Sequence, residues 1–92
     1  MLVLPGGVKA LTASALERLD PAELAPLLAE RGACDLLLVG CGAQALPAPA
    51  ALRDACRRAG IALELLDTGA ACRTFGLLQA EGRRVAALLF PV

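Results

Sequence analysis

The stretch Glu64 to Ala86, ELLDTGAACRTFGLLQAEGRRVA, holds the end of one strand, a capped helix and the start of a second strand in unbroken succession. Ile61 to Leu66 is an apolar run of strand length, interrupted only by Glu64, and is expected to be a central strand. Thr68 then stands where a helix cap belongs, and Ala71, Phe75 and Leu78 follow at the i, i+4, i+7 spacing of one helix face. Gly82 is placed to close that helix, after which Arg84 to Phe90 reads as the last strand. A strand, a helix and a strand in this order predict parallel neighbours joined by a right-handed crossover.

The same alternation extends upstream. Leu36-Leu37-Leu38-Val39 is apolar on both faces, as a strand covered from two sides requires. Before it, Asp20-Pro21-Ala22-Glu23 combines an N-cap acid, a proline at the first helical position and a glutamate at the third. Pro26 disturbs the helix so begun, which is therefore short or opens with a tight turn, continuing through Leu27, Leu28 and Glu30 to Gly32. After Val39, Pro49 begins another helix. Leu52, Ala55, Cys56 and Ala59 form its apolar stripe, Arg53, Asp54, Arg57 and Arg58 face water, and Gly60 ends it. The expected fold is α/β, a single compact domain over residues 1–92 with a mixed, mainly parallel sheet and helices on both faces.

Composition narrows the classes of function. Hydrophobic residues make up 58% of the 92 residues, yet Phe75 and Phe90 are the only aromatics, so the core must be close-packed aliphatic. The formal net charge is zero and Lys9 is the only lysine, which leaves no electrostatic footprint for nucleic acid or an anionic membrane. No apolar run reaches the roughly 18 residues of a membrane span, and the N-terminus lacks the basic-then-apolar order of a signal peptide. Leu38-Val39-Gly40-Cys41 imitates a lipoprotein cleavage site, but Glu30, Arg31 and Asp35 interrupt the apolar segment such a signal needs. A cytoplasmic protein without membrane insertion is expected.

Cys34, Cys41, Cys56 and Cys72 include no C-x-x-C pair, and histidine is absent. Zinc would need four cysteines brought from four separate places, so free thiols and no metal or other cofactor are expected.

Particular residues carry a family likeness. Glu64, Asp67-Thr68-Gly69-Ala70-Ala71-Cys72-Arg73-Thr74-Phe75, Leu78, Glu81-Gly82-Arg83 and Val85-Ala86, with Leu2-Val3-Leu4-Pro5 and Gly40-Cys41-Gly42 upstream, fit one pattern over nearly the whole chain. The chain thereby resembles a small α/β family that includes a mitochondrial assembly factor for respiratory complex I, an adipogenesis-associated relative and many bacterial proteins of unknown activity. The resemblance implies the fold above and a role in protein association. It also implies further N-terminal strand sequence in relatives, so that one sheet edge here is expected to be bare or covered by another subunit. Relatives commonly carry Asn at the position of Gly76 and Tyr at that of Phe75, two polar groups this chain lacks.

In an open α/β sheet, ligands bind beyond the carboxyl ends of the strands, where Gly40-Cys41-Gly42 and Asp67-Thr68-Gly69 should meet. The glycines permit a tight turn and close approach, while the amides of Thr68, Gly69 and Ala70 favour an anion; the plain alternative is a turn and a helix cap. Gly40 to Ala45 satisfies G-x-G-x-x-A, but Pro47 and Pro49 keep Ala45 from opening a helix, and no G-K-[ST] is present, so neither NAD nor ATP is expected. Cys72 lies early in a helix beside Arg73, where dipole and charge favour thiolate and burial opposes it; a packing thiol is the expectation. Arg73, a cation near a helix N-terminus, is expected to contact Asp67 or Glu64. Two readings result. The first is a non-enzymatic accessory domain with a protein partner or a second copy of itself. The second is a small-molecule binder or thiol enzyme using Gly40, Cys41, Gly42, Asp67, Thr68, Gly69, Cys72 and Arg73.

Overall fold

The computed structural model describes residues 1–4, 7–10, 16–28 and 34–91. Its five strands are β1 (Leu2–Leu4), β2 (Gly7–Lys9), β3 (Leu36–Gly40), β4 (Ala62–Leu66) and β5 (Val85–Leu89). They form one sheet in the order β2-β1-β5-β3-β4. β3 pairs in parallel with β4 and β5, while β1 is antiparallel to both β5 and β2. All strands except β1 therefore run the same way, giving the mixed, mainly parallel sheet expected of the sequence.

Period-two alternation sorts the strand residues between two cores. Leu2, Leu37, Val39, Ala86 and Leu88 point to one side, where they meet Leu24, Leu27, Leu52 and Cys56. Leu38, Val85 and Ala87 point to the other, against Phe75 and Leu78. Two helices, α1 (Ala25–Leu28) and α2 (Ala50–Ala59), thus cover the first face, and α3 (Thr68–Ala80) covers the second.

The helix ends follow local chemistry. Asp20 caps a 3-10 turn over Pro21–Leu24, accepting from the Ala22 N–H at 3.0 Å, and only then does α1 begin. The tight opening expected from Pro26 is thus present; Glu30 and Gly32 lie outside the described residues. Helix α2 starts at Ala50 after Pro49 and ends at Gly60, whose φ of 75° is the left-handed conformation that glycine adopts without a Cβ clash.

Two expectations need correction. β4 is an edge strand, not a central one; the interior place beside β3 belongs to β5, buried along nearly its whole length. Glu64 is the physical sign of this, because a charge exposed in mid-strand suits an edge. The cap of α3 is Asp67, whose Oδ1 accepts from the Ala70 N–H at 2.8 Å; Thr68 is the first helical residue and has a different task.

Candidate functional site

The carboxyl ends of β3 and β4 come together as foreseen, the end of β5 joins them, and Thr68 ties the three. Its Oγ1 accepts from the Gly42 N–H at 2.8 Å and donates to the Phe90 carbonyl at 2.7 Å, joining the turns after β3 and β5. Backbone bonds complete the knot: Thr68 N–H to the Gly42 carbonyl at 2.8 Å, Cys41 N–H to the Leu66 carbonyl at 2.8 Å, and Phe90 N–H to the Gly40 carbonyl at 3.0 Å.

Gly40 is required by this approach. A Cβ there would stand 2.9 Å from the Thr68 Cα, closer than real Cβ contacts occur, and a tight 3.2 Å from Leu89 Cδ2. Gly42 has φ of 98° and is buried. The amides offered by sequence to an anion are largely engaged, since Thr68 N–H bonds Gly42 and Ala70 N–H bonds the Asp67 carboxylate. The next helix opens only at Ala50, well beyond Ala45, so the G-x-G-x-x-A pattern meets no helix N-terminus.

An open groove of about 420 Å³ lies on the α3 side of this knot, lined by Met1, Thr68, Cys72, Leu89, Phe90 and Pro91. Thr68 and Cys72 are one helical turn apart and so share a flank of α3. The N-terminal strand reaches the groove because Met1 and Leu89 exchange backbone bonds of 2.8 Å in each direction. Burial lowers the pKa of the Met1 amine, and the Glu23 carboxylate partly offsets this. Apart from that amine, the groove's polar side-chain groups are the engaged Thr68 hydroxyl and the Cys72 thiol.

Cys72 is exposed, against the expectation of a packing thiol; it stands on the flank of α3, whereas Ala71 faces the sheet. Cys34 and Cys56 are buried, and burial pushes both thiols above the ordinary range, Cys34 further helped by the Asp35 charge and Cys56 by Cys34. Cys41 is half-buried, its Sγ 3.7 Å from the Val39 carbonyl. All four are free, and among the described residues no three Cys, Asp or Glu side chains converge on a common point.

Arg73 makes neither of the expected contacts. It is exposed, and no hydrogen bond or ion pair joins it to Asp67 or Glu64. Its Nη1 and the Asp67 Oδ1 each stand 3.4 Å from where a Cβ on Gly69 would be, so they flank that glycine without meeting. The Asp67 carboxylate accepts from the helix amide of Ala70 instead.

Of the residues singled out by sequence, the structure brings Gly40, Cys41, Gly42 and Thr68 into one bonded unit with Asp67 beside it, places Cys72 in the adjoining groove, and leaves Gly69 and Arg73 on the surface. Sequence reasoning missed Met1, Leu89, Phe90 and Pro91. Their signal was the Leu2-Val3-Leu4 run, whose antiparallel pairing with β5 brings Met1 beside Leu89.

Known proteins place this arrangement in context. A structure described as an outer membrane protein from Bartonella henselae superposes with a TM-score of 0.88 at 34% identity, over 97% of this chain and 75% of that one. A Rhodopseudomonas palustris protein gives 0.84 at 37% identity, over 99% and 67%. A Bordetella pertussis protein described as a Mth938-like domain gives 0.76 at 29% identity, over 98% and 72%. An uncharacterised protein of Rhodobacter capsulatus is 40% identical over 70 residues, which are 76% of this chain and 56% of that protein, so the chain spans little more than half of its relative. The family model described as a protein of unknown function (DUF498/DUF598) matches residues 1–90, and the chain belongs to that family.

Proposed function

We infer that this is a non-enzymatic, assembly-factor-like protein-binding domain of the cytoplasm. The observation that carries the reading is the closure of the strand ends by Thr68: the place where α/β sheets usually hold substrates is filled by the protein's own hydrogen bonds. What stays open is a shallow apolar groove beside it, suited to an apolar side chain of a partner. The resemblance to a complex I assembly factor points the same way, toward helping a larger complex form.

The exposure of Cys72 favours a second reading, a thiol-dependent enzyme or small-molecule binder. Against it, no carboxylate or imidazole lines the groove to serve as general base. One experiment separates the two. Tagged protein recovered from its native cell should retain the same partner with Cys72→Ala and lose it with Cys72→Trp, which fills the groove. A measurable turnover abolished by Cys72→Ala, with no partner retained by the unaltered protein, establishes the enzyme reading instead.

A further inference from the structure

The open edge of the sheet at β4 has a definite hydrogen-bonding and charge character. In a parallel pair, alternate residues bond to the neighbouring strand. The Ala62 N–H donates to the Asp35 carbonyl at 3.0 Å and the Leu66 carbonyl accepts from Cys41 at 2.8 Å, so Ala62, Glu64 and Leu66 face β3. The backbone N–H and C=O groups of Leu63 and Leu65 therefore point outward, and among the described residues no strand pairs with them. Their side chains are committed to the core on the α2 face, which fixes the strand's register and orientation.

Glu64 stands between them. It is exposed, it is the only charged residue of β4, and among the described residues its carboxylate has no hydrogen bond or ion pair. Asp67 follows just beyond the strand, so the segment from Ile61 to Asp67 carries two acids and no base. We propose that the β4 edge is a docking site for an extended strand of another protein that presents a lysine or arginine opposite Glu64.

The same geometry disfavours a second copy of this chain. An antiparallel pairing about a two-fold axis that uses all of Ala62–Leu66 sets Leu63 against Leu65 in the bonded positions and Glu64 against Glu64 in the close, non-bonded one. Like charges directly opposite destabilise such a pair, and any shift of register that separates them shortens the pairing. A basic residue opposite Glu64 turns the repulsion into attraction with the full register retained. The proposal deepens the protein-binding reading, on which it rests, but uses a surface distinct from the Cys72 groove.

The test mixes the wild-type protein with its Glu64→Lys variant, the variant serving as the basic strand; Glu64→Arg is the substitute if the first melts below the wild type. At about 100 µM of each chain in low salt, native mass spectrometry should show a 1:1 pair in the mixture and monomers in either protein alone. Amide exchange of Leu63 and Leu65 should slow by about tenfold in the mixture, and high salt should dissolve the pair. Absence of the 1:1 species overturns the proposal, as does a pair that leaves those two amides unprotected. Protection in the wild type alone identifies a second copy as the occupant and equally overturns it. None of these outcomes alters co-purification through the groove, so the two readings fail separately.

Discussion

Gly40 and Thr68 touch backbone to backbone: a Cβ on the glycine would lie 2.9 Å from the Cα of the threonine. The approach lets one hydroxyl reach both the turn after β3 and the residue after β5. Gly40→Ala forces these backbones apart, and overpacking of this kind costs about 1–3 kcal/mol. Denaturant melting should show the midpoint fall with an unchanged slope. An unaltered midpoint would mean that the contact relaxes freely.

Thr68→Val keeps the shape of the side chain and removes the hydroxyl. The Gly42 N–H and the Phe90 carbonyl then each lose their partner, at about 1–3 kcal/mol for a buried group left unsatisfied. Thr68→Ser should recover most of the loss, because the oxygen rather than the methyl carries the link. Thermal melting of the three proteins checks the order wild type, Ser, Val.

Asp67 governs α3 by its own carboxylate. Asp67→Ala removes the bond to the Ala70 N–H and should cost about 1 kcal/mol, within the usual range for an N-cap. Arg73→Ala, by contrast, should leave the melting temperature within experimental scatter, since no internal ion pair is lost. A marked destabilisation by Arg73→Ala would restore the contact that the sequence led one to expect.

Burial raises the pKa of both Cys34 and Cys56, and the sign of the consequence is definite. Below about pH 8.5 these thiols are protonated in folded and unfolded chains alike, and their contribution is fully present. Above it the unfolded chain releases protons that the folded chain retains, so stability falls as pH rises toward the folded pKa values. Melting temperature should decline from about pH 8.5 upward, with a shallower slope in Cys56→Ala. The chain has no tyrosine to contribute in that window.

Thiol access should divide in the native state. A maleimide or disulfide reagent should modify Cys72 rapidly, whereas Cys34 and Cys56, each 1% exposed, should react only through unfolding. Peptide mapping after a short exposure checks this. Early labelling of Cys34 or Cys56 would show that the core opens locally.

The α/β class and the direction of β3, β4 and β5 were legible because apolar runs of strand length alternate with helix-period apolar stripes along Leu36 to Phe90. The places of β4 and β5 were not. Val85 to Leu89 and Ile61 to Leu66 are similarly apolar, and which one is interior depends on Leu2–Leu4 folding back against β5, a pairing across the whole chain that no local window contains. Glu64 was a clue to the edge that outweighs its apolar neighbours once the neighbouring strands are known. For the site, the glycines and Thr68 were found but the role of the hydroxyl was not. A threonine beside an aspartate offers two caps, and only the distance to Gly42 and Phe90 decides which residue is freed for other bonds. The buried face of α3, with Ala71, Phe75 and Leu78, was legible from its spacing, but Cys72 lies one position off that face and is exposed where a packing thiol was expected.

The strand β5 is the last of the five to be synthesised, yet it stands between β1 and β3. Among the described residues, β5 is the only strand that joins the β1–β2 hairpin to β3 and β4. Completion is a single late insertion that closes contacts of the widest sequence separation, with Met1 and Leu89 among the final partners. Formation of the sheet should accordingly be all-or-none, with neither half stable before β5 is in place.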